Sequence, residues 1–314
     1  MNHFKNIKKL KGDASIRIFF RKKIKNFSSI MVFSRKEKKS NLLNYDSINK
    51  ILIRNNILAP KLISENYSNN YIEIQDFGNE TILSLLKKNK VNKTQIFKKI
   101  IKLLIKIQNI RQTKVKNFKK NTYKIPLYTP NILFGEAKLF SDWYIKKKLP
   151  ISKQITFKKK FLKILKILIN NLISKKRIFV HRDFHVSNLM MVKKQIGIID
   201  SQDALIGNKA YDLASLIDDV RFRTSVNLKV KTLKYYFKFQ KNINKKNFIN
   251  DFEIISVLRN LKIIGIFSRL AQRDKKKKYL KLIPHAWDLI DLRSKDNKFN
   301  DLNDLLSNLR KGKI

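Results

Sequence analysis

The chain has 314 residues, 43% of them hydrophobic, and its 71 Lys and Arg against 23 Asp and Glu give a formal net charge of +48. This composition excludes an intrinsically disordered chain, and no apolar run approaches the roughly 18 to 20 residues that a membrane-spanning helix needs. The absence of cysteine excludes disulfides and thiolate metal sites.

The positive charge could indicate a nucleic-acid-binding protein, but its distribution argues against a specific one. The Lys residues are spread along the whole chain and accompany abundant Asn and Ile, which A/T-rich codons also encode. A nucleic-acid surface would instead group Arg and aromatic side chains on one face. We therefore expect neither a specific nucleic acid nor a membrane as partner, although the charge favours polyanionic ligands. The first residues lack a secretory signal pattern, so we expect a cytoplasmic protein.

The first eighty residues read as a small antiparallel sheet with one helix. A turn at residues 11–14 precedes a β-prone run at 15–22, and a second run follows at 29–34. Residues 42–56 have helical spacing, which Ala59 and Pro60 end. The remaining predicted elements are a hairpin of 61–65 and 71–75 that ends in Asp76-Phe77-Gly78. We predict an N-terminal lobe over residues 1–80, with a hinge near 75–78.

The rest of the chain, residues 81–314, is predicted to form a larger, mainly helical lobe. The predicted helices span 81–88, 94–109, 135–148, 156–174, 210–223, 228–241, 248–272 and 279–292. Between them lie a β-prone run at 177–180 and two short strands at 189–192 and 196–199. The fold class is therefore α+β. A sheet-rich lobe before a helical lobe, with a polar hairpin between helices, is the organisation of two-lobed, protein-kinase-like folds.

The polar segment 181–188, HRDFHVSN, indicates phosphoryl transfer. It matches the kinase catalytic loop H-R-D-x-x-x-x-N at every fixed position, and Asp200 ends the strand that follows. Such chemistry needs a carboxylate beside the acceptor hydroxyl and oxygen ligands for Mg²⁺ bound to ATP. The pattern assigns the first role to Asp183 and the metal to Asn188 and Asp200. Ser and Gln follow Asp200 where protein kinases have Phe and Gly, so this is not an ordinary protein kinase.

Two other interpretations of this segment stay open. The loop could be a solvent-facing turn, although the flanking strands and the spacing of Asn188 and Asp200 favour catalysis. His181 and His185 could bind zinc together with Asp200, but the segment lacks the H-E-x-x-H helix pattern. His181 is better explained as a brace of the loop, and the role of His185 is undecided.

Several segments together resemble the aminoglycoside phosphotransferase and choline kinase superfamily. Within it, they are most similar to the bacterial anomeric kinases for N-acetylmuramic acid and N-acetylglucosamine, which act in cell-wall sugar recycling. The segments are 12–21 (GDASIRIFFR), 71–78 (YIEIQDFG), 136–144 (EAKLFSDWY), 180–190 (VHRDFHVSNLM), 199–204 (IDSQDA), 211–216 (YDLASL) and 261–270 (LKIIGIFSRL). Ser201 departs from the usual Phe of that group.

The resemblance implies roles for particular residues. Asp183 would be the catalytic base, with Asn188 and Asp200 holding Mg²⁺. The implied nucleotide-binding residues are Gly12, Asp13, Ala14, Ser15, Arg17, Gln75 and Phe77. The tentative acceptor residues are Glu136, Asp142, Trp143, His185 and Asp203. Trp143 could equally pack between helices, and Asp203 could cap a turn.

The resemblance also implies a function: ATP-dependent phosphorylation of the anomeric hydroxyl of N-acetylmuramate or N-acetylglucosamine in peptidoglycan recycling. The expected partners are thus an amino sugar and a nucleotide. The alternatives are a related kinase for an aminoglycoside, choline or another alcohol, or a basic non-catalytic binding protein. The strand that should carry a phosphate-pairing Lys, around residues 30–33, contains none. The cation for the α- and β-phosphates is therefore unassigned.

Overall fold

The computed structural model describes residues 7–10, 17–25, 27–174 and 177–311. Contacts divide these residues into two compact units, the first within 1–126 and 178–206 and the second within 127–177 and 207–314. The predicted lobe boundary between residues 80 and 81 lies inside the first unit and stays a prediction. The predicted phosphate-binding turn, Gly12, Asp13, Ala14 and Ser15, lies outside the described residues.

An antiparallel sheet forms the beginning of the first unit, as predicted. Its strands lie in the order β1-β2-β3-β5-β4. The elements of this part are β1 Ile7–Lys9, β2 Ile18–Ile24, β3 Phe27–Phe33, α1 Ser40–Arg54, β4 Leu62–Asn66, β5 Tyr71–Gln75, α2 Ile82–Lys87, α3 Lys93–Gln108, β6 Lys114–Lys116 and β7 Thr122–Lys124. Because side chains alternate along a strand, Val32 and Ile72 pack with Tyr45 of α1 in one buried cluster.

The remaining elements are mainly helical. In chain order they are α4 Pro130–Leu139, a π-helix Phe140–Ile145, α5 Lys146–Lys148, α6 Ile151–Asn170, β8 Arg177–Val180, β9 Leu189–Val192, β10 Gln195–Ile198, β11 Leu205–Asn208, α7 Ala210–Ile217, α8 Val226–Phe237, α9 Lys245–Gln272, α10 Ile283–Arg293 and α11 Asn300–Arg310. None of the described helices is long and apolar enough to cross a membrane.

Two helices begin five residues earlier than predicted, and both have a start signal in the sequence. Helix α4 begins at Pro130 because the Thr129 side chain accepts a hydrogen bond from the backbone N–H of Ile132, and Pro is favoured in the first turn. Helix α6 begins directly after Pro150. The predicted starts at residues 135 and 156 were therefore five residues late.

The β9–β10 hairpin sets the positions of the polar residues on either side of it. Lys193 and Lys194 form its two-residue turn, both with positive φ (45° and 68°), as a tight hairpin turn requires. The backbone N–H of Ile198 donates to the carbonyl of Leu58 at 2.8 Å, and that of Met191 donates to the carbonyl of Glu80 at 2.8 Å. The hairpin is thereby attached to the segments that flank the sheet.

In the second unit, α9 is the central helix, and it packs against α4, the π-helix, α7 and α10. Its contact with α4 is a backbone contact. A Cβ atom built on Gly265 would lie 2.3 Å from the carbonyl carbon of Leu139 and 2.6 Å from the nitrogen of Phe140. Only glycine allows the two helices to approach this closely.

Candidate active site

The predicted catalytic loop is held in shape by hydrogen bonds made by the side chain and backbone of Asn188. The side-chain amide nitrogen of Asn188 donates to the backbone carbonyl of Asp183 at 3.0 Å, and the Asn188 carbonyl accepts from the N–H of Ile199 at 3.0 Å. Because the nitrogen of the Asn188 amide is engaged, its oxygen is the end left to bind a ligand. Arg182 adopts a φ of +76°, a strained conformation that is found disproportionately at functional sites.

His181 is fully buried behind this loop. Burial lowers its pKa to about 4, although the charges of Asp183 and Asp203 and the nearby backbone of Ile199 and Asp183 act in the opposite direction. A neutral, fully buried ring close to the backbone on both sides of the β9–β10 hairpin fits a brace. Within the described ranges, no group of three or more His, Asp or Glu side chains is placed to hold a metal ion. The structure therefore lends no support to a zinc site at His181.

Asp200 lies beyond β10 with a φ of +65°, and its carboxylate meets Arg17. The Arg17 guanidinium (Nη2) is 2.6 Å from Oδ1 of Asp200. Burial raises the pKa of Asp200, Arg17 lowers it, and the charges of Asp183 and Asp203 raise it further, with a net increase. Asp183 and Asp203 therefore both lie close enough to Asp200 for their charges to act on its carboxylate.

Arg17 is the cation nearest to these carboxylates that can be identified from the geometry. Its side chain is buried, and the guanidinium lies 5.8 Å from the ring centroids of both Phe19 and Tyr45. Phe19 pairs with Val32 across β2 and β3, on the core face of the sheet. Arg17 directly precedes β2, two residues before Phe19, and therefore shares the face of Phe19. Strand β2 pairs with β3, the strand in which the expected Lys is missing.

Helix α1 contributes two site residues that the sequence did not suggest. Tyr45 hydrogen-bonds with the backbone of Asp200, and its burial, together with the Asp200 charge, raises its pKa to about 12. Asn49, one turn later, accepts a hydrogen bond from the Ser201 hydroxyl at 2.6 Å and donates to the carbonyl of Pro60 at 2.9 Å. The unusual Ser201 thus has a buried partner. The signal in the sequence was two polar residues at i, i+4 on an apolar helix face.

The predicted hinge is organised around Asp76. Arg21 forms a bidentate salt bridge with the Asp76 carboxylate, with Nε 2.6 Å from Oδ2 and Nη2 3.0 Å from Oδ1. Burial alone would raise the pKa of Asp76, but hydrogen bonds from Arg21, Ser28 and the Gly78 N–H outweigh it and hold that pKa below its usual range. The adjacent Phe77 ring is buried against Gly197 of β10.

The other predicted residues of the first unit, Gln75, His185 and Asp203, lie near these groups. Gln75 ends β5, and its N–H donates to the carbonyl of Lys61 at 2.9 Å. His185 is buried, and its backbone N–H donates to the carbonyl of Asp183 at 3.1 Å. Asp203 is half-exposed, accepts a hydrogen bond from Gln202 at 2.6 Å and lies 4.0 Å from the Arg182 guanidinium. Their roles in ligand binding stay predictions.

The predicted acceptor residues Glu136, Asp142 and Trp143 lie in the second unit. Glu136 is buried, forms a salt bridge with Lys262 at 3.0 Å and accepts a hydrogen bond from the Tyr128 hydroxyl. Trp143 is partly exposed. The acceptor roles of these residues also stay predictions.

Asp142 is already neutralised by two lysines. It binds Lys138 at 2.6 Å and Lys158 at 2.8 Å. Burial alone would raise the pKa of Asp142, but these two partners lower it below its usual range.

Comparison with known proteins follows the same lines. The sequence pattern of a phosphotransferase enzyme family matches residues 7–242. The chain is 28% identical over 282 residues to the N-acetylmuramate/N-acetylglucosamine kinase of Neisseria meningitidis, covering 87% of this chain and 80% of that protein. It is 26% identical over 261 residues to the enzyme of the same name from Pseudomonas aeruginosa, covering 81% and 74%. Among solved structures, an amicoumacin kinase in complex with AMP-PNP and Ca²⁺ superposes with a TM-score of 0.63 at 13% identity, covering 92% and 89%.

Proposed function

Because the chain belongs to the phosphotransferase enzyme family, we propose that it phosphorylates the anomeric hydroxyl of N-acetylmuramate or N-acetylglucosamine with ATP as donor. The resemblance identified from the sequence and the protein-kinase-like α+β fold are confirmed, and the chain is a small-molecule kinase that transfers phosphate to a hydroxyl. The choice of acceptor is supported by the names of the relatives and by the shared segments outside the catalytic loop. The 1-phosphate product would enter peptidoglycan recycling.

The observation that carries this proposal is the meeting of Asp183, Asn188, Asp200 and Arg17 in the first unit. In the proposed reaction the anomeric oxygen forms a bond to the γ-phosphorus while the bond from that phosphorus to the β,γ-bridging oxygen breaks, and ADP leaves. The Asp183 carboxylate orients the hydroxyl and accepts its proton. The protein otherwise contributes positioning and charge.

The residues present fit a Mg²⁺ ion. The Asn188 amide oxygen and the Asp200 carboxylate are the hard oxygen ligands that Mg²⁺ prefers, and Mg²⁺ is usually held by one or two protein oxygens with phosphates and water. The Asp200 carboxylate would hold the ion beside Arg17, which contacts its Oδ1. When bound, Mg²⁺ would neutralise charge on the phosphates.

We assign Arg17 to the missing phosphate-pairing role. A guanidinium beside the metal-binding carboxylate can bind phosphate oxygens through two parallel N–H groups. Its packing against Tyr45 and Phe19 would keep it there without a ligand. Gln75 and Phe77 would line the nucleotide site. Glu136, Asp142, Trp143, His185 and Asp203 remain the proposed acceptor residues.

The test is an ATP-consumption assay with Mg²⁺ over a panel of amino sugars, choline and aminoglycosides, with wild type and Asp183→Asn. We expect turnover with an amino sugar, and a rate about 10² to 10⁴-fold lower in Asp183→Asn, the usual contribution of a general base. Asp304→Asn, which removes an exposed carboxylate from α11, is the matched control and should retain the wild-type rate. Turnover with choline or an aminoglycoside alone would contradict the assignment of an amino sugar as acceptor. An Asp183→Asn variant with the wild-type rate would contradict the assignment of Asp183 as the general base.

A further inference from the structure

Arg269 lies on the face of α9 that packs against the π-helix. Gly265, one turn earlier, contacts the backbone of Leu139 and Phe140, and the side chain of Gln272, three residues later, donates to the carbonyl of Trp143 at 3.1 Å. Residues three and four apart share one face of a helix. Arg269 is therefore bracketed by two contacts with the segment that contains Asp142 and Trp143.

Arg269 forms no salt bridge with a carboxylate among the described residues, and the one acid whose charge acts on it, Asp274, is paired with Arg273. Its Nε atom is buried and makes no hydrogen bond within the part of the chain that the structure describes. Burial lowers the pKa of Arg269 below its ordinary value and the neighbouring charge of Arg273 lowers it further, while the charge of Asp274 acts in the opposite direction. The Asp274 carboxylate accepts two hydrogen bonds from the Arg273 guanidinium, at 2.7 and 3.0 Å.

Other half-buried cations of this unit contrast with Arg269. Lys262, two turns earlier on α9, pairs with Glu136 at 3.0 Å, and Arg293 on α10 pairs with Asp218 at 2.8 Å. The partial negative charge at the C-terminal end of a helix favours a nearby cation, so the position of Arg269 in the last turn of α9 offsets part of the cost of burying its charge. That effect supplies no acceptor for the buried Nε, and a buried donor without a partner is costly.

The segment opposite Arg269 has two features of a binding surface. Residues Phe140–Ile145 form a π-helix, a rare conformation that often occurs at functional sites. The ring of Tyr144 packs on Phe140 and on Trp287, with centroids 5.2 and 5.9 Å apart. The neighbouring Trp143 is partly exposed and takes part in none of the aromatic pairs of the described residues. The second feature is this partly exposed indole ring, because its apolar face can stack on a ligand.

From this juxtaposition we propose that Arg269 binds a carboxylate of the acceptor, next to Trp143. The inference rests on the proposed function and narrows it. N-acetylmuramate differs from N-acetylglucosamine by a lactyl ether that ends in a carboxylate, the group that a guanidinium fork binds best. Asp142 does not oppose such an anion, because Lys138 and Lys158 already neutralise it. Arg269 would therefore favour the acidic sugar over the neutral one.

The test compares both sugars as substrates of wild type and Arg269→Gln. Loss of a charged hydrogen bond should raise the KM for N-acetylmuramate about 10- to 100-fold, while the kcat/KM for N-acetylglucosamine stays within about twofold. Arg269→Lys keeps the positive charge but loses the two parallel N–H donors of the guanidinium, so its KM for N-acetylmuramate should lie between those of wild type and Arg269→Gln. The control is Arg273→Gln, whose guanidinium is more exposed and already paired with Asp274, and it should not separate the two sugars. Equilibrium binding of N-acetylmuramate with AMP-PNP, measured by calorimetry, should weaken in Arg269→Gln in parallel with the rise in KM.

The outcomes separate the two proposals. An equal loss for both sugars in Arg269→Gln, an unchanged preference, or a wild type that uses only N-acetylglucosamine would overturn the inference and leave the amino-sugar kinase intact. A wild type that phosphorylates neither sugar would overturn the proposed function itself. Thermal unfolding of each variant separates a binding defect from a folding defect.

Discussion

At the scale of single residues, the candidate site combines negative charge with a buried cation. The charges of Asp183 and Asp203 act on Asp200, and Arg17 opposes them at 2.6 Å from the Asp200 carboxylate. Asp200 and Arg182 both have positive φ, which costs energy for residues other than glycine. Sparsely populated backbone conformations of this kind cluster at functional sites, in line with the predicted roles of this segment.

Arg17→Gln tests the role of this cation. Without the guanidinium, the nucleotide loses a charged partner and Asp200 loses the group that orients it. We expect kcat/KM for ATP to fall about 10- to 100-fold, the usual effect of removing a residue that supports a metal ligand. Steady-state kinetics over a range of ATP and Mg²⁺ concentrations measure it, and nucleotide titration of the free enzyme should show the same loss.

Lys23→Gln is the matched control, because it removes one positive charge at an exposed position of β2, the strand that follows Arg17. It should leave kcat/KM for ATP within about twofold. If Arg17→Gln behaves like this control, the net charge of the strand is what matters, and Arg17 is not the phosphate partner.

The sequence could predict proximity only for residues whose spacing is short and local. Asp183, Asn188 and Asp200 lie on one loop and the hairpin after it, so the chain itself places them side by side. Tyr45 and Asn49 escaped prediction because they reach Asp200 and Ser201 across about 150 residues of sequence. Helical periodicity marks such residues as polar positions on a helix but does not say which segment they meet.

At the scale of elements, the close approach of α9 to α4 depends on one glycine. In Gly265→Ala the new methyl group would lie 2.3 Å from the carbonyl carbon and 2.4 Å from the carbonyl oxygen of Leu139. Backbone cannot rotate away as a side chain can, so the helices must separate. We expect a loss of about 1 to 3 kcal/mol in the free energy of unfolding, the typical effect of overpacking, measured by urea denaturation.

Gly135→Ala on α4 provides the comparison. This position has no heavy atom within 4 Å of the added Cβ, so alanine should stabilise the helix by up to about 1 kcal/mol through its higher helix propensity. Opposite signs for the two substitutions are the expected result. A Gly265→Ala variant as stable as wild type would show that the two backbones do not touch in solution.

The predicted element boundaries were wrong where tertiary contacts or a rare backbone geometry determine the observed ones. The sequence predicted one helix over 135–148, whereas the chain forms α4, then a π-helix, then α5. A hydrophobic period near 3.6 does not distinguish an α-helix from an interrupted one. Helix α11 and the short strands β1, β6, β7 and β11 were not predicted, because strands of three or four residues carry almost no periodic signal.

At the scale of the whole molecule, the chain leaves and re-enters its compact units. Residues 178–206, with the catalytic loop and Asp200, group with the first 126 residues, while 127–177 group with the C-terminal helices. Local patterns follow the chain in order and contain no information about such regrouping. The class of fold could be predicted because it depends on the sequence of element types, and not on which elements touch.

The second unit is held together around one buried acid, Asp218. Its carboxylate accepts from Lys229 of α8 at 2.8 Å, from Ser256 of α9 at 2.7 Å and from Arg293 of α10 at 2.8 Å. Burial alone would raise the pKa of Asp218, but Lys229 and Arg293 outweigh it and lower that pKa. Burial lowers the pKa of Lys229 as well, but from an ordinary value near 10.4. Lys229 is therefore charged throughout the acid range and does not contribute to the pH dependence of stability there.

The stability of this unit should therefore depend on pH through Asp218. An acid whose pKa is lowered by folding stabilises the fold fully above its unfolded pKa of about 3.9, and this contribution is lost as the pH falls through the folded value. Asp218→Asn leaves two buried cations without their anion, so we expect a loss of about 3 to 5 kcal/mol at pH 7 and a flatter stability curve below about pH 4. Urea unfolding between pH 3 and 7 measures both.

Asp291→Asn is the control, because it breaks an exposed salt bridge to Arg310 and should cost about 1 kcal/mol or less. Equal losses of stability in the two variants would show that Asp218 does not hold these helices together.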